Sequence, residues 1–189
     1  KGSYSRPKAY GVNGYSQFKS SPLAQISIPG VNQNVVRSTL ESLYKQGGLN
    51  RVAAKHNSVI KQEGMRYGVS ESLVKAAIYV ESRGRENAQS PRGAYGPMQL
   101  MEATAKVDLN GLNRYNPQEN IRGGIIYYGR LLQRYRGDTE KAVAAYNWGM
   151  GNVDRVAKKY GQAWRAALPQ ETRNYLAQYR AILSDGRPL

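Results

Sequence analysis

Glu81 is the residue most informative about chemistry, and it lies in a helical pattern that opens at Ser70 and closes at Gly84. Helical spacing places it on one face with four apolar residues, namely Leu73, Val74, Ala77 and Ile78. Desolvation there raises the pKa of a carboxyl group, and the negative end of the helix dipole acts in the same direction. A carboxylic acid that is still protonated near neutral pH is what protonation of a glycosidic oxygen requires. The same position also suits a glutamate that reaches solvent or pairs with Arg83.

The composition restricts the other chemistries that are open to this chain. Its 189 residues contain no cysteine, which excludes disulfides, thiolate metal sites and a cysteine nucleophile. The single histidine, His56, cannot build a histidine metal site and is interpreted as an ordinary helix residue. We therefore expect neither a metal nor a cofactor.

The elements that must position Glu81 are predicted to be helices joined by short loops. Ser70 and Asp138 are favourable N-caps, and Pro117 follows Asn116 at another helix start. The patterns predict helices over residues 35–46, 50–67, 70–83, 101–110, 117–135, 138–148, 151–160 and 170–183. Residues 85–101 are rich in Gly, Ser and Pro and are predicted to form a loop. No segment alternates like a series of half-buried strands, so the sequence indicates a mainly α domain.

Residues 1–34 differ in composition from the rest of the chain. Gly, Ser, Pro, Asn and Tyr dominate them without a period of 2 or 3.6. We interpret residues 1–34 as an irregular tail or linker and residues 35–189 as one folded domain. Because the sequence begins with Lys1 rather than Met, we expect a leader or a larger N-terminal portion to be missing from it.

The chain is strongly basic. Lys and Arg number 28 against 13 Asp and Glu, which gives a formal net charge of +15. Such a charge attracts polyanions: nucleic acid, anionic lipid head groups or an anionic cell-wall polymer. The basic residues are spread along the chain, and no nucleic-acid motif collects them, so nucleic acid is not expected as the main partner. No apolar run approaches the roughly 20 residues of a transmembrane helix.

Four blocks of sequence, in order, resemble the soluble lytic transglycosylase family, which is glycoside hydrolase family 23. The first block comprises Glu81-Ser82, Ser90, Gly93-Ala94, Gly96, Met98-Gln99-Leu100-Met101 and Thr104-Ala105. The other three are Asn116-Pro117 with Asn120-Ile121, Gly124 and Tyr127; Ala144-Ala145-Tyr146-Asn147 with Gly149; and Leu168-Pro169 with Glu171-Thr172 and Tyr175. The resemblance implies a lysozyme-like, goose-type helical fold with a glycine-rich active-site loop, in which residues 35–189 are the catalytic domain.

The same resemblance implies cleavage of the β-1,4 bond between N-acetylmuramic acid and N-acetylglucosamine in peptidoglycan. Glu81 would act first as the acid and then as the base, while the substrate's own N-acetyl group would stabilise the sugar cation. The C6 hydroxyl of the muramic acid would then attack C1 and give a 1,6-anhydro product. Because this attack is intramolecular, the second carboxyl group that glycoside hydrolases typically need becomes dispensable.

The resemblance also implies roles for residues of the glycine-rich loop. Ser82 and Ser90 are expected to hydrogen-bond near the catalytic acid or the muramyl peptide, and the roles of helix cap and turn former are equally open to them. Gly96, like Gly93 before it, is expected to adopt a positive φ and to allow close approach of the backbone. Met98 and Gln99 are expected in the cleft wall, with Gln99 donating to a sugar's N-acetyl group; Met98 also suits the core.

Residues of the later blocks are expected to complete the site. Tyr146 and Asn147 resemble the residues that orient the acid and bind the glycan, and a tyrosine hydroxyl supplies the partner that a buried glutamic acid needs. Tyr127 and Tyr175 are expected to stack on sugars, to support the glutamate or to pack in the core. Asn120 is expected to serve the start of its helix.

Three other functions are compatible with the sequence. A goose-type lysozyme-like hydrolase would use water on the same scaffold, with Glu102 or Asp108 as its second carboxylate. A catalytically idle wall-binding or assembly protein would use the cleft as a lectin. Binding of nucleic acid through the net charge would be steeply salt-dependent. Two departures from the family pattern, Pro97 for Leu and Glu102 for Pro, bear on substrate fine-tuning rather than on the class of reaction.

The biological setting follows from the family alone. The expected partners are peptidoglycan glycan strands, and the expected location is the periplasm or cell envelope, with a virion as the alternative. The basic tail is compatible with a module of a larger envelope-spanning or virion assembly.

Overall fold

The computed structural model describes residues 28–185, without the side chains of residues 107 and 108, and these residues form a mainly α fold. The helices in this range are α1 (Gln33–Lys45), α2 (Gly48–Val52), α3 (Asn57–Tyr67), α4 (Glu71–Ser82), α5 (Pro117–Arg134), α6 (Thr139–Trp148), α7 (Met150–Tyr160) and α8 (Gln170–Ser184). Short 3₁₀ helices lie at Ala54–His56 and Gly161–Ala167, and a π-helical turn lies at Thr104–Asp108. None of these helices combines the length and the hydropathy that crossing a bilayer requires.

The predicted N-caps start their helices. Ser70 Oγ accepts a hydrogen bond from the Leu73 N–H at 3.2 Å, and Asn116 Oδ1 accepts from the backbone N–H groups of residues 118 and 119. Asp138 accepts from the Lys141 N–H at 3.0 Å. Each cap satisfies backbone donors that the first helical turn leaves without a partner. Helices α4, α5 and α6 therefore begin where the sequence predicts.

Two predicted helices differ from the structure. The single helix over residues 50–67 is wrong, because α2 ends at Val52 and a tight 3₁₀ turn redirects the chain before α3 begins. Ala53 and His56 are buried at this break, so tertiary packing rather than helical periodicity sets its position. The helix expected over residues 101–110 is largely reduced to the π-helical turn.

Helix α4 lies within the core and packs against α2, α3 and α8. Its Val74, Ala77 and Ile78 have no exposed surface. Burial of a side chain the size of valine or isoleucine contributes about 1.5–3 kcal/mol. This apolar stripe therefore fixes the rotation of α4, and with it the direction in which Glu81 points.

The loop that follows α4 is held in place by hydrogen bonds. Within the described residues, β pairing is limited to two isolated bridges, one between Gln89 and Tyr95 and one between Tyr95 and Leu100. Buried Arg114 supports the loop by donating to the carbonyl oxygens of Gly93, at 2.6 Å, and of Leu100, at 3.1 Å. The predicted loop is thus a fixed structure beside the last turn of α4.

The final residues of the expected tail pack on the domain. Ile28 is buried in the hydrophobic core. The carbonyl oxygens of Pro29 and Gly30 accept hydrogen bonds from Arg173 and Gln170 of α8. Residues 1–27 lie outside the described part of the chain, so the boundary between tail and domain at residue 34 stays a prediction.

Candidate active site

Glu81 lies in the last turn of α4, where the helix gives way to the loop. Arg83 ends the helix in a left-handed conformation with φ 57°. Glu81 is partly exposed, whereas Ile78, one turn earlier, is completely buried, so the carboxyl group lies at the boundary between core and solvent. Arg83 is turned away from it: its guanidinium donates to the Tyr79 carbonyl at 3.1 Å and lies over the Tyr79 ring. A pair between Glu81 and Arg83, the simplest non-catalytic alternative, is not formed.

The environment of Glu81 keeps its carboxyl group near half-protonation at neutral pH. Burial raises the pKa of Glu81 to about 7. The Tyr175 hydroxyl donates a hydrogen bond to Glu81 Oε1, which favours the carboxylate and opposes this rise in pKa. Desolvation is the larger of the two effects. A group with this pKa can release a proton in one step and accept one in the next.

Three buried tyrosines form a hydroxyl cluster behind Glu81. Tyr175 lies 3.0 Å from Tyr179, Tyr179 lies 2.8 Å from Tyr128, and Tyr128 lies 3.5 Å from Tyr175, all measured between hydroxyl oxygens. Burial raises the pKa of each of these hydroxyl groups above its usual value, so all three stay protonated. The cluster can therefore stabilise the carboxylate of Glu81 through the hydroxyl of Tyr175 without itself carrying charge.

The sequence motifs include Tyr175 but neither Tyr128 nor Tyr179. Helical spacing offered one signal, because Tyr179 lies four residues after Tyr175 and so shares its face of α8. No spacing in the sequence indicated Tyr128. It lies outside the motif, next to the motif residue Tyr127, and it reaches the cluster only through the packing of α5. Support of the glutamate, one of the roles considered for Tyr175, is the role that the hydrogen bond indicates.

Tyr146 is near the acid but is not its hydroxyl partner. Its hydroxyl donates to the Met98 carbonyl at 2.7 Å, so the hydrogen bond that we predicted from it to Glu81 comes from Tyr175 instead. The Tyr146 ring stacks on Tyr128, with centroids 4.2 Å apart and planes 8° from parallel. The Tyr127 ring also contacts Tyr146, with centroids 5.4 Å apart and an angle of 55° between the ring planes. Tyr146 thus links the loop to the tyrosine cluster.

The glycine-rich loop is joined to α5 by Asn120. Asn120 Oδ1 accepts from the Met98 N–H at 2.9 Å, and its amide nitrogen donates to the carbonyl oxygens of Tyr95 and Arg114. The expected role at the helix start belongs to Asn116, and Asn120 braces the loop instead. Gly96 allows this contact, since a Cβ there would lie 2.3 Å from the Asn120 amide nitrogen.

Both loop glycines adopt the predicted backbone conformation. Gly93 has φ 84° and Gly96 has φ 83°. Met98 is completely buried and its sulfur packs against Gly124, so the core position that the sequence left open is the observed one and the cleft-wall position is not. Gln99 has a left-handed backbone, and its side-chain amide donates to the carbonyl oxygens of Ala88 and Gly96, each at 2.9 Å. Its donation to an N-acetyl group stays a prediction.

The two serines bond to the backbone in this structure. Ser82 Oγ donates to the Ile78 carbonyl at 2.9 Å and accepts from the Gly84 N–H at 3.1 Å, which makes it part of the helix terminus. Ser90 Oγ accepts from the Ala94 N–H at 3.0 Å within a tight turn. These contacts are the cap and turn roles considered for them, and contact with the muramyl peptide stays a prediction.

Asn147 lies at the surface of the protein. It is exposed at the end of α6, and its Oδ1 accepts a hydrogen bond from the hydroxyl of buried Thr172 at 2.9 Å. This contact connects two of the sequence blocks and fixes the direction of an amide at the surface. Binding of glycan by Asn147 stays a prediction.

Of the two candidates for a second carboxylate, Glu102 is the one whose side chain the structure describes. Glu102 is exposed and pairs with Lys106 and, at 4.0 Å, with Arg114. The hydrogen bond from Lys106 lowers the pKa of Glu102 below its usual value. The Asp108 side chain lies outside the described residues. Among the described residues no group of three His, Cys, Asp or Glu side chains could hold a metal ion.

The chain is similar to known transglycosylases. The family model described as "Transglycosylase SLT domain" matches residues 58–168. A membrane-bound lytic murein transglycosylase F of Hahella chejuensis is 37% identical over 106 residues, which are 53% of this chain and 21% of that protein. A transglycosylase of Enterobacteria phage PRD1 is 40% identical over 93 residues, or 49% of this chain and 34% of that protein. The chain thus spans at most about a third of these relatives.

Solved structures agree with these matches. An inactive mutant of the lytic transglycosylase Slt from Pseudomonas aeruginosa superimposes with a TM-score of 0.64 at 26% identity, covering 78% of this chain and 26% of that one. The 70-kDa soluble lytic transglycosylase from Escherichia coli superimposes with a TM-score of 0.61 at 21% identity, covering 90% of this chain and 31% of that one. The second likeness bears on the fold alone, and both confirm the predicted lysozyme-like helical class.

Proposed function

Since the chain belongs to the transglycosylase SLT domain family, we propose that it is a peptidoglycan lytic transglycosylase with Glu81 as its single acid and base. The bond cleaved is the β-1,4 bond between N-acetylmuramic acid and N-acetylglucosamine. The observation that carries the proposal is a partly exposed carboxyl group in the last turn of α4, with a pKa of about 7 and a tyrosine hydroxyl bonded to it. The named activity of the relatives, lytic murein transglycosylase, supports the same reaction.

In the first step Glu81 transfers its proton to the glycosidic oxygen. The bond between C1 of the muramic acid and that oxygen breaks, and the N-acetylglucosamine leaves with the proton as its 4-hydroxyl group. The muramyl cation is stabilised by its own N-acetyl oxygen. The carboxylate that remains on Glu81 is stabilised by the Tyr175 hydroxyl.

In the second step the carboxylate of Glu81 accepts the proton of the muramyl C6 hydroxyl while the C6 oxygen bonds to C1. This closes the 1,6-anhydro ring and restores the protonated Glu81, and no water is consumed. Because the nucleophile is already part of the same sugar, no second carboxylate has to hold a water molecule. Glu102 is exposed and paired with Lys106, which is consistent with a mechanism that needs no second carboxylate.

Product analysis of digested murein tests the reaction. Mass spectrometry should find 1,6-anhydro ends, whereas the goose-type hydrolase alternative would give reducing ends. Glu81→Gln should lower the rate by about 10²–10⁴-fold, because it keeps the shape of the side chain and removes the transferable proton. Glu102→Gln is the matched control and should keep most of the activity. Equal clearing of a murein zymogram by wild type and Glu81→Gln would refute the role of Glu81 as the acid, whereas no clearing by wild type would support the non-catalytic wall-binding alternative.

We further propose that the enzyme acts on glycan strands in the cell envelope. The relatives include membrane-bound and phage transglycosylases, which supports the periplasm and envelope first and a virion second. The net charge of +15 favours association with an anionic wall polymer. The same proposal includes two further points: residues 1–34 act as a linker, and the domain is part of a larger assembly. Fractionation of the native host or particle with an antibody against this domain tests it, and recovery with nucleic acid instead would contradict it.

A further inference from the structure

The hydroxyl cluster behind Glu81 has fewer hydrogens than contacts. Its four contacts are the bond from Tyr175 to Glu81 and the three distances between the hydroxyl oxygens of Tyr128, Tyr175 and Tyr179. Each phenol carries a single hydrogen. Three hydrogens therefore have to serve four contacts, and one contact is left without a hydrogen.

The bond to Glu81 decides the direction of the others. Because Tyr175 gives its hydrogen to Glu81 Oε1, it can only accept from the other two tyrosines. Tyr179 is the nearer donor to Tyr175, at 3.0 Å against 3.5 Å for Tyr128. Tyr128 lies 2.8 Å from Tyr179 and can donate to it. The three shorter contacts are then all hydrogen-bonded, in the order Tyr128, Tyr179, Tyr175, Glu81.

The packing of the rings holds these hydroxyl groups together. The side chains of Tyr128 and Tyr179 have at most 1% of their surface exposed. The Tyr128 ring stacks on Tyr146, and the Tyr179 ring packs against Tyr175 with centroids 4.9 Å apart. The Tyr146 hydroxyl donates to the Met98 carbonyl instead of to the cluster. Since a buried hydroxyl needs a partner, the two inner tyrosines satisfy each other and Tyr175.

The tyrosines around Glu81 act on it without carrying charge. Those that interact with the carboxyl group come from three helices: Tyr128 of α5, Tyr146 of α6, and Tyr175 and Tyr179 of α8. Burial raises the pKa of all four hydroxyl groups above the usual value, so they stay neutral while Glu81 titrates. The direction of their hydrogen bonds, rather than their charge, is therefore what changes the acid.

We propose that Tyr179 is a positioning residue that directs the hydroxyl hydrogen of Tyr175 onto Glu81, with Tyr128 as the first donor of the chain. A hydroxyl that accepts one hydrogen bond becomes a stronger donor in the next, by roughly 10–30%. Since Oε1 receives this bond, the transferable proton lies on Oε2. One consequence rests on the proposed function: the proton given to the glycosidic oxygen leaves from Oε2, and the proton of the C6 hydroxyl returns to Oε2.

The titration of Glu81 tests the proposal directly. In protein labelled with ¹³C at the glutamate carboxyl carbons, the Glu81 resonance is the one that Glu81→Gln removes. Tyr179→Phe keeps the ring and removes the hydroxyl, so it should raise the pKa of Glu81 by about 0.3, because the bond from Tyr175 to the carboxylate is weakened. The alkaline limb of the kcat/KM profile should move up by the same amount with KM unchanged.

A double-mutant cycle separates this role from general stabilisation of the fold. Since Tyr179 acts through Tyr175, Tyr179→Phe should have no effect on the pKa of Glu81 once Tyr175→Phe is present. Tyr128→Phe leaves Tyr179 as the donor to Tyr175 and should raise the pKa less than Tyr179→Phe does. Tyr79→Phe is the matched control: it removes another buried hydroxyl of α4, which donates to a backbone carbonyl of α1 at 3.0 Å, and it should leave the titration of Glu81 unchanged.

The outcomes separate this inference from the proposed function. If Tyr179→Phe leaves the pKa of Glu81 unchanged, or raises it equally with and without the Tyr175 hydroxyl, the inference is overturned. A larger rise with Tyr128→Phe than with Tyr179→Phe would reverse the order of the donors and overturn it as well. If the titrations behave as expected but wild type releases no anhydro products from murein, the hydroxyl chain stands and the proposed function fails. A circular dichroism melt of each variant checks that the fold is intact.

Discussion

Replacement of Glu81 by glutamine measures the cost of burying its carboxyl group, independently of any activity. The pKa of Glu81 is about 7 in the folded protein against 4.5 for an unperturbed glutamate. Between these values the folded state binds more protons than the unfolded state, so the free energy of unfolding falls as the pH rises. At 1.36 kcal/mol for each pH unit, the stability present below pH 4.5 is reduced by about 3 kcal/mol once the pH passes 7.

Glu81→Gln should abolish this loss of stability. Glutamine has nearly the same shape, its side-chain oxygen can accept the hydrogen bond from Tyr175, and it does not ionise. The free energy of unfolding of the variant minus that of wild type should therefore rise by about 3 kcal/mol between pH 4 and pH 8. For a domain of this size the corresponding difference in Tm is roughly 10 °C. His56, whose pKa burial lowers, is present in both proteins, and its titration cancels in the difference.

Urea unfolding followed by circular dichroism, at half-unit pH steps from 4 to 8, gives both curves with their m-values. Similar m-values for the two proteins are needed for the comparison, because they show that the same surface is exposed on unfolding. A difference that stays constant within about 0.5 kcal/mol over the whole range would mean that the carboxyl group is solvated and ionised at neutral pH. That result would refute the reasoning that makes Glu81 an acid.

Other predictions address the groups around Glu81. Tyr175→Phe removes the hydrogen bond that holds down the pKa of Glu81, so the alkaline limb of the kcat/KM profile should move to higher pH and the rate should fall about tenfold through lost positioning; an unmoved limb would contradict this. Gly93→Ala should cost about 1–2 kcal/mol in urea unfolding, because φ is positive but the space around a new Cβ is open. Gly96→Ala should cost at least about 1 kcal/mol more, because its Cβ would collide with Asn120; equal costs would show that this contact relaxes freely.

Much of the structure could be predicted from interactions between residues that are close in the sequence. The caps of α4, α5 and α6 involve atoms two or three residues apart, and the position of Glu81 on an apolar face follows from helical spacing. The positive φ of the loop glycines is likewise a property of single residues in a turn. These features depend on neighbours along the chain, which a sequence displays directly.

The hydrogen-bond partners of Glu81 and of the tyrosines behind it are set by the packing of helices that are distant in the sequence. The bond from Tyr175 to Glu81 joins residues 94 positions apart, and the link between Tyr128 and Tyr179 joins residues 51 apart. The motif pointed to Tyr146 as the partner of the acid, because a motif gives residue types in order and not the directions of their side chains.

What the sequence indicated by itself was the candidate acid Glu81, the helix that carries it and the family of the domain. What the tertiary structure decided was which hydroxyl reaches the acid, that Met98 lies in the core, and that Asn120 braces the loop instead of starting its helix. The physical reason is that backbone propensities act over one helical turn, whereas the pKa and the hydrogen bonds of a buried group depend on every element packed around it.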